Sequence, residues 1–224
     1  MRGRGMRFGG LMRMLLLAAT CGFAVAAQAS EALRAAAARG DVAAVAKHIE
    51  SKVPLDAKDG QGQTALLLAV AAGHTAVGQA LIAAGADINA VASNMDTPWL
   101  LAGARGRTEL LRVMWPKGPN LSLRNRYGGN ALIPACHYEH LETVKFLLTT
   151  SIDINHVNNL GWTCLLEIMI LTDGGSVATE VTRIVLEAGA NPNIADKDGA
   201  TPLAHARKRG FKAIVKLLEA KGGK

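Results

Sequence analysis

Aromatic side chains are scarce in this sequence, at 4% of the chain, although half of its 224 residues are apolar. Alanine and leucine supply most of the apolar half, and both are strong helix formers. Only three cysteines are present, too few for a disulfide framework. Seven prolines and twenty-four glycines interrupt the chain often. These proportions predict many short helices. One stretch runs against that expectation. Thr64 to Ala86, TALLLAVAAGHTAVGQALIAAGA, has no formally charged residue over 23 positions, long enough to cross a bilayer.

Acidic residues are missing from the first thirty positions, which read MRGRGMRFGGLMRMLLLAATCGFAVAAQAS. Arg2, Arg4, Arg7 and Arg13 form a positive segment, Met14 to Ala24 an uncharged one, and Ala27-Gln28-Ala29 a small-residue cleavage site. This order predicts a secretory signal peptide over residues 1–29, cut after Ala29. An uncleaved anchor would need a longer apolar run, and a lipoprotein reading at Cys21 lacks the large aliphatic residue upstream. Removal of residues 1–29 takes four arginines and no acid, so the formal charge falls from +7 to +3. A charge of +3 spread over the remaining chain is no argument for nucleic acid or anionic lipid.

Self-alignment places the Thr64 stretch in a series. Segments beginning at Thr64, Thr97 and Asn130 follow one another at intervals of 33 residues, with further copies from Thr163 and Thr201 and an upstream one from Glu31. Each unit reads as a turn, a helix, a glycine-containing break, a second helix and a Gly-Ala-Asp-x-Asn-like turn. Thr or Asn caps the first helix, and proline at its first turn gives up a donor that is unpaired anyway. Gly40, Gly73, Gly106 and Gly210 stand where the first helix ends. Gly73-His74 therefore splits the uncharged stretch into two short helices whose apolar faces meet neighbouring units. The pattern predicts the interior of a solenoid and no membrane helix.

The residues Thr97-Pro98, Thr201-Pro202-Leu203, Gly73-His74, Gly85-Ala86-Asp87-Ile88-Asn89 and Gly189-Ala190-Asn191-Pro192-Asn193, at a period of 33, resemble the ankyrin repeat. The resemblance implies an all-α solenoid of about six helix pairs with short β-turn or hairpin connections, following the signal peptide. The repeats fall at about 31–62, 63–95, 96–128, 129–161, 162–199 and 200–221 within a domain of residues 30–224. The polar ends of the array predict a monomer.

Several positions depart from the family pattern. The histidine that follows Thr-Pro-Leu in similar repeats is replaced by Leu67, Leu100, Ile133, Leu166 and Ala204, which removes its bond to the turn. Pro116 and Pro119 close the third repeat, and Pro134 falls inside a predicted helix, where it would cost roughly 3 kcal/mol. Five extra residues between Thr163 and Thr201 are expected in a flexible loop over 172–178. Cys136 falls late in one first helix and Cys164 early in the next. An in-register stack separates them by about 7.5 Å of rise and about 9 Å laterally, which predicts two buried thiols.

A catalytic constellation is also lacking. His137 and His140 could present two ligands on a helix, but His140 occupies the recurrent position of His74 and no third ligand is near. Gly60-Gln61-Gly62 lacks the lysine of a phosphate loop, and Gly174-Gly175-Ser176 lacks the form of a nucleophile elbow. No metal, cofactor or enzymatic activity is expected. What remains is recognition. In similar proteins partners bind the concave face made by turn tips and first helices. Carried over by position, a patch centred on the fourth repeat contains Arg105, Arg126, Tyr127, His137, Tyr138, Asn159, Leu160 and Trp162. It holds both tyrosines of the chain, and Tyr, Trp and Arg commonly anchor interfaces. Trp99 and Trp115 fall on packing positions. The resemblance implies an exported, periplasmic, non-enzymatic module that stabilises or inhibits a partner protein, as an immunity-type inhibitor or a stress-defence accessory. The alternative is a secreted effector that binds a eukaryotic host protein.

Overall fold

The computed structural model describes residues 25–224. Of the expected signal peptide over 1–29, residues 1–24 lie outside the described residues, and 25–29 fall in the first helix. Twelve helices are seen among those described. The first, α1, covers 25–39, and its first buried residue is Ser30. There follow α2 (Val42–Glu50), α3 (Ala65–Ala72), α4 (Thr75–Ala83), α5 (Pro98–Ala104), α6 (Thr108–Met114), α7 (Leu132–His137), α8 (Leu141–Leu147), α9 (Cys164–Leu171), α10 (Ser176–Glu187), α11 (Pro202–Lys208) and α12 (Lys212–Ala220). Odd-numbered helices open each repeat and even-numbered ones close it.

The helices form two layers. From α3 onward each first helix packs on the first helix of the next repeat, and from α2 onward the second helices do the same. One apolar core runs continuously from Leu33 to Leu218. Leu66, Leu81, Leu110, Leu132 and Leu165 are fully buried in it, each worth about 1.5–3 kcal/mol relative to exposure. The uncharged stretch is α3, the Gly73-His74 break and α4, with Gly73 left-handed at φ 80°. No helix among the described residues is long and apolar enough to cross a membrane.

The caps follow the sequence closely. The hydroxyls of Thr64, Thr97, Thr163 and Thr201 accept the amides three residues on at 3.2–3.3 Å. Asn130 Oδ1 accepts from Leu132 and Ile133 at the head of α7. That cap changes the account of Pro134. It is the third residue of α7, where a backbone N–H has no intrahelical partner, so the expected cost of an interior proline does not arise. Pro116 sits in a short 3-10 turn, Trp115–Lys117, that ends the second helix of repeat three. Trp99 and Trp115 pack together with ring centroids 5.9 Å apart.

Two further expectations are corrected. The connections are turns; no β-strand occurs among the described residues, so the hairpin reading does not hold. Each tip closes with a pair of backbone bonds, as from Asn125 N–H to Gly129 C=O and from Gly128 N–H to Asn125 C=O. The five extra residues of repeat five do not make a loop over 172–178. Ser176 begins α10, a 12-residue helix, and only Thr172 to Gly175 lie between helices. The insertion goes mostly into a longer second helix because Ala178 and Val181 bury against the core.

Cys136 and Cys164 are joined as a disulfide with Cα atoms 5.5 Å apart, not held as two thiols. The in-register assumption was at fault. One repeat earlier, Gly103 and Ala131 occupy the equivalent positions, and a Cβ on Gly103 would lie 2.6 Å from the Ala131 carbonyl oxygen. Successive first helices are thus displaced along their axes, so the late residue of one meets the first residue of the next.

Candidate interaction face

The turns project past the first helices and are stiffened locally. Asn125 Oδ1 accepts the amides of Tyr127 and Gly129, and Asn158 Oδ1 those of Leu160 and Trp162. These bonds form the Asx turns that Asn and Asp favour. Neighbouring tips are tied by the Asn159 amide donating to the Tyr127 carbonyl at 2.8 Å. Lys197 Nζ in turn donates to the Asn159 carbonyl. Asn159 is therefore a staple between tips, and it does not line either cavity described next.

Two adjoining cavities lie on this face around repeat four. One, of about 520 Å³, is lined among others by Asp96, Arg105, Arg126, Tyr127, Tyr138 and His140. The other, of about 320 Å³, is lined by Arg126, Tyr127, His137, Tyr138, Leu160 and Trp162 together with Asn158 and Glu167. The two share Arg126, Tyr127, Pro134 and Tyr138. Seven of the eight residues singled out from the sequence thus meet on one continuous surface. Tyr127 and Tyr138 are 50% and 57% exposed, so both rings are available to a partner. Arg126 holds its guanidinium 4.8 Å from the Tyr127 ring centroid, a cation–π contact. His137 stacks on Tyr138 at 4.3 Å with planes 9° apart.

The electrostatics differ between the two cavities. Burial raises the Asp96 carboxyl above its ordinary value, while the Asn94 hydrogen bond and the charges of Arg126 and Arg105 oppose that rise. Burial lowers both His137 and His140, so both are neutral at pH 7. In the smaller cavity Glu167 is only 7% exposed, and burial pushes it up to about 7 against the hydrogen bond from Asn158.

Among the described residues no group of three or more His, Cys, Asp or Glu side chains is placed to hold an ion. The His140 ring instead packs against the previous repeat, where a Cβ on Gly106 would lie 2.8 Å from it. The equivalent His74 bonds the Ala38 carbonyl, and Arg107 those of Val70 and Ala71. These side chains tie each repeat to the one before it. Beside them the backbone at Glu139 is left-handed, φ 55°, at the position held by glycine in other repeats. A non-glycine residue there stores strain next to Tyr138.

Sequence reasoning missed Asn158 and Glu167. A carboxyl in the apolar helix CLLEIMIL was the available signal, since Leu68, Leu101 and Pro134 stand at its place earlier. The missing family histidine also has a substitute in repeat six. His205, one position later, bonds Asp196 at 2.6 Å, as Asn158 bonds Glu167 in repeat five at 3.0 Å.

Comparison with known proteins agrees with this architecture. A family profile described as ankyrin repeats (many copies) matches residues 33–82, and one described as ankyrin repeats (3 copies) matches residues 81–158. The ankyrin repeat protein YahD of Escherichia coli (strain K12) is 43% identical over 188 residues, covering 84% of this chain and 94% of that protein. So nearly complete a match leaves no length in YahD for a separate catalytic domain. The solved ankyrin repeat domain from Acinetobacter baumannii AYE is 49% identical, with a TM-score of 0.81, over 86% of this chain and 98% of its own. The ankyrin repeat protein EF0377 superposes with a TM-score of 0.82 at 38% identity, over 85% of this chain and 97% of that one. With repeats at the family spacing, their helices stacked in two layers and bacterial relatives covered almost from end to end, the chain belongs to the ankyrin-repeat family, whose repeats generally mediate protein binding.

Proposed function

We propose that this protein is an exported, non-enzymatic binding module that stabilises or inhibits a protein partner in the periplasm. The single observation that carries the binding surface is the convergence of Tyr127, Tyr138 and Trp162 on one cavity wall beside Arg126. Aromatic and arginine side chains grouped at the centre of a patch are the usual anchors of an interface. The predicted signal over residues 1–29 supports export, as does the buried disulfide, since such bonds persist in oxidising compartments. Immunity-type inhibition and a stress-defence accessory role both fit a surface of this kind. A secreted effector that binds a host protein is the alternative reading.

The test is capture from a periplasmic extract on residues 30–224, with Tyr127, Tyr138 and Trp162 all changed to alanine as the control. Circular dichroism establishes that the control folds. One protein retained by the wild type and lost by the control is the expected result. Equal retention by both forms sinks the patch.

A further inference from the structure

Glu167 is the fourth residue of α9, and its side chain is 7% exposed. Its Oε1 accepts from Asn158 Nδ2 at 3.0 Å. Its Oε2 accepts no hydrogen bond among the described residues and lies 3.5 Å from His137 Nδ1. No buried side-chain nitrogen or oxygen among the described residues is without a partner. Oε2 has none, so it is reached from the cavity that Glu167 lines. A largely buried carboxyl is costly in an otherwise apolar helix, at a position that holds leucine in repeats two and three. An incoming cation would offset that cost.

Resting on the reading that this face binds a protein, we propose that the cavity receives the ammonium group of a lysine side chain from the partner. Glu167 Oε2 accepts its hydrogen bond, and Tyr127, Tyr138 and Trp162 enclose its methylene stem. Lysine fits better than arginine because Oε1 is already taken. One free oxygen suits a compact point charge, whereas a guanidinium seeks two acceptors in a fixed fork. Aromatic faces add cation–π attraction. The cavity volume of about 320 Å³ is at the lower end of ligand sites.

The other ionisable groups on the cavity wall permit this occupant. His137, from α7, is neutral at pH 7 because burial lowers its pKa. Arg126, from the preceding turn, is held over the Tyr127 ring and makes no ion pair with Glu167. The phenols of Tyr127 and Tyr138 complete the set. Glu167 itself, up to about 7, is poised to ionise when a cation arrives.

The test is a titration of the full-length protein, carrying carboxyl-labelled glutamate, with Nα-acetyl-lysine methylamide. The expected result is a lower titration midpoint for Glu167, a shift of the Trp162 indole resonance, and no effect from the capped norleucine analogue. Glu167→Gln keeps an acceptor for Asn158 and should weaken the lysine probe about tenfold. An unmoved midpoint at the highest soluble probe concentration overturns the proposal, as does equal binding of norleucine or tighter binding of the capped arginine. If Glu167→Gln does not fold, the wild-type titration decides alone. A partner that binds Glu167→Gln undiminished, yet is lost by the triple alanine variant, removes the lysine site and leaves the interaction face standing.

Discussion

Cys136 and Cys164, five positions apart in the repeat frame, stand with Cα atoms 5.5 Å from one another across α7 and α9. The pair sits where Gly103 meets Ala131 one repeat earlier, so the disulfide fastens a contact that the solenoid makes anyway. It joins repeat four, on which the candidate interaction face is centred, to repeat five, which adds Trp162 and Glu167 to it.

Reduction should therefore loosen that joint. The bond closes a sequence separation of 28 residues, for which the chain-entropy account gives about 3.5 kcal/mol. Thermal melts with and without reductant should differ by roughly 10 °C for a domain of this size. Thiol alkylation of residues 30–224 under denaturing, non-reducing conditions should label no cysteine. Full labelling would show that the bond does not form.

Glu139 offers the opposite change. It adopts φ 55° where Gly106, in the previous repeat, adopts φ 66°. Glu139→Gly should raise stability by about 0.5–1 kcal/mol, since the left-handed penalty of about 1–2 kcal/mol is relieved and partly offset by glycine's backbone entropy. Gly106→Ala should lower it, by more than Gly210→Ala does. A Cβ on Gly106 would lie 2.8 Å from the His140 ring, while nothing lies within 4 Å at Gly210. Urea denaturation of the three variants measures all of these differences.

The capping threonines should behave as a graded series. Thr97 is 1% exposed and its hydroxyl accepts the Leu100 amide. Thr97→Ala should cost about 1 kcal/mol, with Thr97→Ser retaining most of the cap. Equal losses in the two variants would assign the effect to the lost methyl group instead.

Glu167 should make stability depend on pH in an unusual direction. Its folded value of about 7 lies above the ordinary 4.5. The stability associated with its protonated form is then fully present below about 4.5 and lost as pH rises through about 7. The unfolding free energy of Glu167→Gln relative to wild type should increase by roughly 3 kcal/mol over that window. Paired urea melts at pH 4.5, 6 and 8 provide the measurement, and a flat difference would mean that Glu167 titrates normally.

Much of the architecture was legible because each repeat states its own caps and breaks. Thr64, Thr97 and Thr163 announce helices that begin one residue later. The shared surface of Tyr127 and Tyr138 was legible by position, since they occupy tip and late-helix places in the frame. Glu167 was not, because the same frame assigned its place to aliphatic packing. Pro134 was misread because the start of α7, one residue later than in neighbouring repeats, turned an interior proline into a first-turn one.

The sequence by itself determined the solenoid, for a period of 33 residues with local capping is a short-range code that each unit carries complete. Tertiary structure decided what the units do to one another. The axial displacement of successive first helices brought Cys136 to Cys164, and the packing of α9 beneath two turns buried Glu167 with one oxygen open. Both depend on contacts between residues in different repeats. Such contacts are fixed by how surfaces fit, and no single repeat's sequence contains that information.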